Sequence, residues 1–282
     1  MPKKAAPTNP GKAAEVVAAE VWECRLGAKA RRRVDMLARE EPLEIRVRGR
    51  SIAVTMRTPG CDEELAAGFL LTEGIIRQRA EVIEIAPCLT GETPENILNV
   101  FLAAAVEVDF KRLTRHVFAA SSCGICGKAS IEAVHENFPP VESKQKVAAA
   151  VLASLPGKMA AAQEAFAQTG GLHAAAVFDA RGKLVVLRED AGRHNAVDKV
   201  LGYGFLKEEL PFDKHVLLVS GRASFEIMQK ALAGRIPIVA AISAPSSLAV
   251  GFAQESGQTL VGFLRGERMN IYAGAERIIG VV

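Results

Sequence analysis

Cys123 and Cys126 lie three positions apart in the run Ser121-Ser122-Cys123-Gly124-Ile125-Cys126-Gly127-Lys128-Ala129-Ser130, and a glycine follows each of them. Glycine at those positions permits backbone angles and close approaches that other residues refuse. Residues 128–138 carry a helical pattern stopped by Pro139 and Pro140, so the spacing predicts two thiols on a loop that feeds a helix N-terminus. The partial positive charge of a helix start stabilises a thiolate, and Arg115, His116 and Lys128 around the loop add to it. The expected chemistry is that of an activated cysteine.

A Cys-x-x-Cys pair can be half of a structural metal site, a dithiol redox couple or a sulfur relay, and its spacing alone does not choose. A closed zinc site needs four ligands. No second Cys-x-x-Cys and no His-x-x-x-His exists, which leaves Cys61, Cys88, His116 and His135 as scattered candidates. Thiol chemistry therefore ranks above metal binding, and no metal ligand set is assigned. A zinc nucleobase deaminase pairs its cysteines with His-x-Glu and sets a proline before the first Cys. Here Ser122 precedes Cys123 and His135 is followed directly by Glu136, which disfavours deamination.

Four further polar clusters could hold an anionic ligand. The run Arg188-Glu189-Asp190-Ala191-Gly192-Arg193-His194-Asn195 sits between a strand pattern and a helix pattern that carries Asp198 and Lys199. Ligands of α/β sheets gather at such strand ends, which makes Asp190, Arg193, His194 and Asn195 candidates; the competing reading is a capping and salt-bridge cluster with Asn195 as N-cap. His194 could bind phosphate or transfer protons. Ser220, Gly221 and Arg222, continuing through Ala223 and Ser224, likewise follow an apolar run and open a helix, an arrangement that offers backbone N–H groups to an anion. It lacks a complete Gly-x-Gly-x-x-Gly or Walker pattern. Ser243 to Ser247 form a third such turn, or a plain N-cap. Phe263, Leu264, Arg265, Gly266, Glu267 and Arg268 add two guanidinium groups suited to bidentate phosphate contacts, or make an ordinary basic turn. His173 reads as a strand-starting residue and His215 as structural.

These residues need elements to position them. Residues 45–47 and 52–56 alternate across a turn at Arg48-Gly49-Arg50, which predicts a β-hairpin. Thr58, Pro59 and Asp62 start a short amphipathic helix that Gly74 stops, and strands are expected at 82–86 and 96–102. After the cysteines the rhythm changes to strands at 174–178, 184–188, 216–220, 238–242 and 260–264, with helices around 159–168, 196–206, 225–233 and 247–256. Near-continuous apolar strands alternating with helices predict an α/β sheet covered on both faces. The expected organisation is a flexible basic segment over 1–42, a small α+β domain over 43–115 and an α/β domain over 116–282 that carries the cysteine loop, with the boundary near Arg115.

The bulk properties set limits. A chain of 282 residues buries a core without covalent staples, and 49% hydrophobic with 24% charged residues is the balance of a globular protein. A net charge of +3 is too mild to imply nucleic acid. Arg31, Arg32 and Arg33 form the sharpest basic cluster, read as a solvated, partly mobile surface segment rather than a docking site for an acidic partner. No apolar stretch reaches membrane-spanning length and the start carries no secretory pattern, so a cytoplasmic address is expected, with no membrane partner. Five scattered cysteines in such a chain argue against a disulfide framework.

Taken together, Thr58-Pro59 through Glu73-Gly74, Cys123 through Gly127, Gly170 through His173, Arg188 through Lys199, Ser220 through Phe225, Ser243 through Leu248 and Val261 through Tyr272 resemble the formate dehydrogenase accessory sulfurtransferases, the FdhD/NarQ family, over residues 43–279. The resemblance implies a sulfur carrier that accepts persulfide sulfur from a cysteine desulfurase and passes it to the bis(molybdopterin guanine dinucleotide) molybdenum cofactor destined for formate dehydrogenase. It places the persulfide on Cys123, the second loop thiol at Cys126 and cofactor binding at residues 263–268. It also implies a larger domain similar to cytidine deaminases, with three α/β layers, and a homodimer. Two alternatives remain open here: a chaperone that holds the cofactor without sulfur turnover, and a zinc-stabilised interaction module.

Overall fold

The structure is a computed structural model and describes residues 15–90, 93–110, 134–135 and 137–281. Cys123 and Cys126 lie outside the described residues, as do Arg115, His116 and Lys128, and with them the expected boundary between domains.

The chain opens with an antiparallel ribbon, β1 (Val16–Glu23) on β2 (Arg31–Ala38), in which Trp22 faces Arg32 and Glu20 faces Val34. This replaces the loose segment expected over 1–42, from residue 16 onward. Arg31, Arg32 and Arg33 stand on β2, where Glu23, Glu20 and Asp35 pair with them. Neither face of the ribbon enters the core, so its residues lack the hydrophobic alternation that betrays a strand.

The expected hairpin follows as β3 (Glu41–Val47) and β4 (Arg50–Arg57), turning through Arg48 and Gly49 with positive φ at both. That is the backbone a tight right-twisted hairpin requires. Next come α1 (Asp62–Thr72), β5 (Val82–Pro87) and β6 (Ile97–Leu102), which complete a four-stranded sheet in the order β4-β3-β6-β5. The helix is not amphipathic as expected: Leu65, Ala66, Ala67, Gly68, Leu70, Leu71 and Thr72 are all buried, because it is covered on both sides.

The remainder begins with β7 (Val147–Ala148), α2 (Ala149–Ala162) and α3 (Glu164–Thr169), then β8 (His173–Asp179), β9 (Leu184–Asp190) and α4 (Arg193–Leu206). Two strand-helix steps and a further strand follow in β10 (His215–Val219), α5 (Phe225–Ala233), β11 (Ile238–Ala241), α6 (Ser247–Glu255) and β12 (Thr259–Arg265). The chain closes with β13 (Arg268–Ala273) and β14 (Ile278–Ile279), the latter pairing with β7. The large sheet has the order β13-β12-β11-β10-β8-β9, with β10, β11 and β12 parallel and the flanking strands antiparallel.

Both faces of this sheet are covered. Ala175, Val177, Leu217, Val219, Val239, Ala241 and Leu260 pack with α4, α5 and α6 in one core cluster, which continues through α1 into Leu43, Ile45 and Val100 of the small sheet. Ala176, Phe178, Leu218 and Ala240 pack on the opposite side with Leu152, Leu155 and Met159 of α2. The result is a three-layer α/β body with the small sheet joined to it through shared core. The junction is a glycine crossing of α1 and α4. A methyl group added at Gly68 would overlap the Asp198 carbonyl, and one added at Gly202 would overlap the Glu64 carbonyl.

Candidate functional site

Parallel β10, β11 and β12 end on the same edge of the large sheet, and the antiparallel neighbours bring the end of β9 and the starts of β8 and β13 to that edge as well. Asp190, Ser220, Ser243, Arg265 and Arg268 are therefore gathered by topology, although more than seventy positions separate the first from the last. The turns are laced together. Ser220 N donates to Ala174 O and Ala174 N donates to Ser220 Oγ, each at 2.9 Å. Ser246 N donates to Ala223 O at 3.0 Å, and Phe263 N donates to Ser243 O at 3.1 Å. Ser224 caps α5 by accepting from Ile227 N, and Ser246 caps α6 by accepting from Ala249 N. Three helix starts, those of α4, α5 and α6, thus face the same edge, where their partial positive charge favours an anion.

His173, read from the sequence as a mere strand start, belongs to this cluster. Its Nδ1 lies 3.4 Å from where a side chain on Gly221 would begin, and Arg193 Cδ lies 3.5 Å from the same point, so the bare Gly221 backbone separates the two. Burial, reinforced by the Arg193 cation and the neighbouring His194, pushes the His173 imidazole below its ordinary pKa. Arg193 Nε is buried without a hydrogen-bond partner among the described residues. A guanidinium so placed is short of an acceptor. His194 Nε2 sits 2.8 Å from Glu226 Oε2 and 3.3 Å from Ser224 Oγ. The hydrogen bond from His194 holds the Glu226 carboxyl below the usual range against opposing burial.

At the far side of the edge the chain bulges between Gly262 and Arg265, and Phe263 adopts a positive φ of 52°. Bulges re-aim side chains, and a non-glycine residue held at positive φ marks a place where surrounding structure imposes the conformation. Phe263 is half-buried beneath the Arg265 guanidinium, 5.9 Å from its ring centre. Arg222, Arg265, Gly266, Glu267 and Arg268 are exposed.

Three expected ligand residues are spent inside the protein. Asp190 is fully buried and accepts from Thr58 N, Gly192 N and Asn195 Nδ2 while pairing with Lys199. Asn195 is not the N-cap, a position held by Gly192; its Nδ2 also donates to Met56 O at 2.7 Å, and its Oδ1 accepts from Thr55. Leu264 points into the second core cluster. Asp190 and Asn195 thus brace the turn that carries Arg193 and His194 against the end of β4. Thr58 is their main partner across the junction: its N–H reaches Asp190, its Oγ1 accepts from Ala191 N, and its carbonyl accepts from Lys199 Nζ.

The stems of the cysteine segment are described on either side. Before it, Arg48 donates to Val106 O at 2.6 Å and the Arg50 guanidinium lies over Phe110. After it, Val134 enters the main core and His135 stacks on Phe252, 5.5 Å between ring centres. Phe252 meets Phe225 edge-on at 5.0 Å, and Phe225 directly follows Ser224, the N-cap of α5. Among the described residues no group of three or more His, Cys, Asp or Glu is placed to hold a metal, and no helix is long and apolar enough to cross a membrane.

The model of the FdhD/NarQ family matches residues 38–279. This chain belongs to that family. It is 51% identical over 255 residues to the sulfur carrier protein FdhD of Mycobacterium tuberculosis, covering 87% of this chain and 92% of the relative. With the sulfur carrier protein FdhD of Mycolicibacterium paratuberculosis the identity is 54% over 252 residues, covering 87% and 93%. A crystal structure of a protein assigned as a formate dehydrogenase accessory protein from Desulfotalea psychrophila superposes with a TM-score of 0.75 at 28% identity, covering 94% of this chain and 99% of the other. The FdhD/NarQ match starts at residue 38, so all of the β1–β2 ribbon but Ala38 lies outside it, whereas every turn of the basic edge lies within it.

Proposed function

We propose that this chain is a sulfur carrier. Cys123 takes sulfur as a persulfide from a cysteine desulfurase, and the basic sheet edge holds the bis(molybdopterin guanine dinucleotide) molybdenum cofactor that receives it on the way to formate dehydrogenase. The relatives' shared name supports the sulfur half of this reading. The observation that carries the cofactor half is the convergence of three helix starts with Arg193, Arg222, Arg265 and Arg268 on one edge, where Arg193 Nε has no acceptor among the described residues, beside the bare Gly221 backbone. Several phosphates at once are the ligand such an edge suits.

Loading is an exchange between thiolate and persulfide. The Cys123 thiolate attacks the outer sulfur of the donor's persulfide, the donor's S–S bond breaks, its thiolate leaves, and Cys123 keeps the sulfur with no net redox change. Delivery as sulfide needs two electrons, and Cys126, three positions along the sequence, supplies them. Its thiolate attacks Cys123 Sγ, the outer S–S bond breaks, the sulfur departs as sulfide, and the two cysteines close into a disulfide that a thiol reductant reopens. Arg193 and Arg265 hold phosphate, and the Glu226 carboxylate, accepting from His194 Nε2, fixes that ring at the start of α4.

The test is genetic and biochemical. In cells lacking their own copy, the C123A protein should leave formate dehydrogenase inactive, and R193Q/R265Q should lower its activity with persulfide loading unchanged. Full activation by C123A would instead support a chaperone that only holds the cofactor.

A further inference from the structure

The opposite edge of the large sheet, where β10 begins, carries a second feature. Along residues 141–147 burial alternates: Val141 and Val147 are buried, Ser143 and Gln145 half-buried, and Glu142, Lys144 and Lys146 exposed. A period of two is that of an extended chain. The inner row is fastened, since Val141 N donates to Ser256 O at 2.8 Å, Ser143 Oγ donates to Asp213 O at 2.6 Å, and Arg277 Nε donates to Ser143 O at 3.1 Å. The outer row is open. The backbone N–H and C=O groups of Glu142 and Lys144 have no hydrogen-bond partner among the described residues. In an extended chain, alternate residues present both groups on the same side, so these two form a short unpaired strand edge.

Beside this edge lies a cleft of about 470 Å³ lined by Ser143, Lys144, Gln145, Lys146, Asp213 and Lys214. None of its three lysines forms an ion pair among the described residues, and Asp213 is the only carboxylate in the lining, so positive charge is in excess. Lys144 and Lys146 stand two residues apart, roughly 6.5–7 Å in an extended chain. Carboxylates on alternate residues of a second extended chain repeat at the same interval. Ammonium groups strung out in this way suit such a chain better than one compact anion, which calls for donors focused on a point.

We infer that this open edge is a docking site for an extended acidic segment of a partner protein. The segment adds as a strand beside residues 142–144 and sets alternate carboxylates on Lys144, Lys146 and Lys214. Main-chain bonds supply affinity and the lysines supply the preference, as in other strand-addition sites. Glu142, in the same outer row, repels an acid opposite itself and so helps to fix the register. Because the cleft lies on the edge away from Arg193 and Arg265, a partner held there leaves the anion-facing turns free.

The test uses the full chain and a short fluorescein-labelled peptide of alternating Glu and Val, followed by fluorescence anisotropy at low salt. Binding should weaken about tenfold or more in K144E/K214E, as expected when charges facing a ligand are reversed. It should be unchanged in R265E/R268E, and lost for the same peptide N-methylated at alternate residues. All three lysines are exposed, so folding should be unaffected; if K144E/K214E nevertheless misfolds, the neutral K144Q/K146Q variant must show a clear loss of affinity. Equal binding to wild type and K144E/K214E would overturn the proposal, as would an N-methylated peptide that binds normally. Displacement by inorganic pyrophosphate at micromolar concentration would overturn it in favour of a small phosphate ligand.

Discussion

Lys199 in α4 reaches back to Asp190 at the end of β9, Nζ to Oδ2 2.8 Å, with both side chains almost wholly withdrawn from solvent. The pair closes the turn that presents Arg193 and His194, and through Thr58 it ties that turn to the small sheet. Removing one partner of a buried pair strands the other charge, which costs about 3–5 kcal/mol. K199M should therefore lower the free energy of unfolding by that order in a denaturant titration. The double variant K199M/D190N, which removes the stranded charge and keeps an acceptor for Thr58 N and Gly192 N, should recover part of the loss.

The crossing of α1 and α4 depends on the absence of side chains at Gly68 and Gly202. Because the obstacle in each case is a backbone carbonyl in a facing helix, no rotamer change relieves it. G68A and G202A should each destabilise by about 1–3 kcal/mol or more, the range for an overfilled interior. Differential scanning calorimetry of the two variants measures this directly, and an unchanged midpoint would contradict the crossing.

The proposed phosphate recognition at the basic edge predicts guanine nucleotide binding. Hydrogen bonds to charged groups are worth about 1.5–3 kcal/mol, so R193Q should weaken GDP by roughly tenfold or more in isothermal titration calorimetry. R265Q should do the same, whereas substitution of Lys144 on the opposite edge should leave the affinity unchanged.

Stability should rise with pH across the acidic range. His173 and His215 are pushed below their ordinary pKa, chiefly by burial. The unfolded chain therefore binds their protons first, and stability falls as pH drops below about 6.5, the ordinary histidine value. Glu226 is held low by His194, so the stability it contributes is present above its ordinary value, about 4.3, and fades as pH falls further. H173Q and H215Q should each flatten the upper part of that curve, as read by urea midpoints measured at several pH values.

How much of this was legible in the sequence depended on what each residue packs against. Residues 174–178, 216–220 and 238–242 read correctly as strands because both faces of the large sheet are buried, which leaves uninterrupted apolar runs. β13 escaped notice because an edge strand reading Arg268-Met-Asn-Ile-Tyr-Ala has no such run, and the β1–β2 ribbon because it touches no core. The basic edge was partly legible. Ser220, Arg222, Arg265 and Arg268 stand at strand ends, and local pattern is enough to locate strand ends. Asp190 and Asn195 looked like ligands because a polar residue announces its chemistry but not its partner; theirs, Thr58 and Met56, lie 132 and 139 positions away. His173 reads as a plain strand start for the converse reason, since Gly221 and Arg193 reach it only through the sheet.

The most direct measurement is intact-mass and peptide mass spectrometry of the chain after incubation with a cysteine desulfurase and cysteine. The expected result is a single added sulfur, removable by reductant, mapped to Cys123 and absent from C123A. An unmodified Cys123, or sulfur loaded equally well in C123A, would contradict the assignment of this chain as a sulfur carrier.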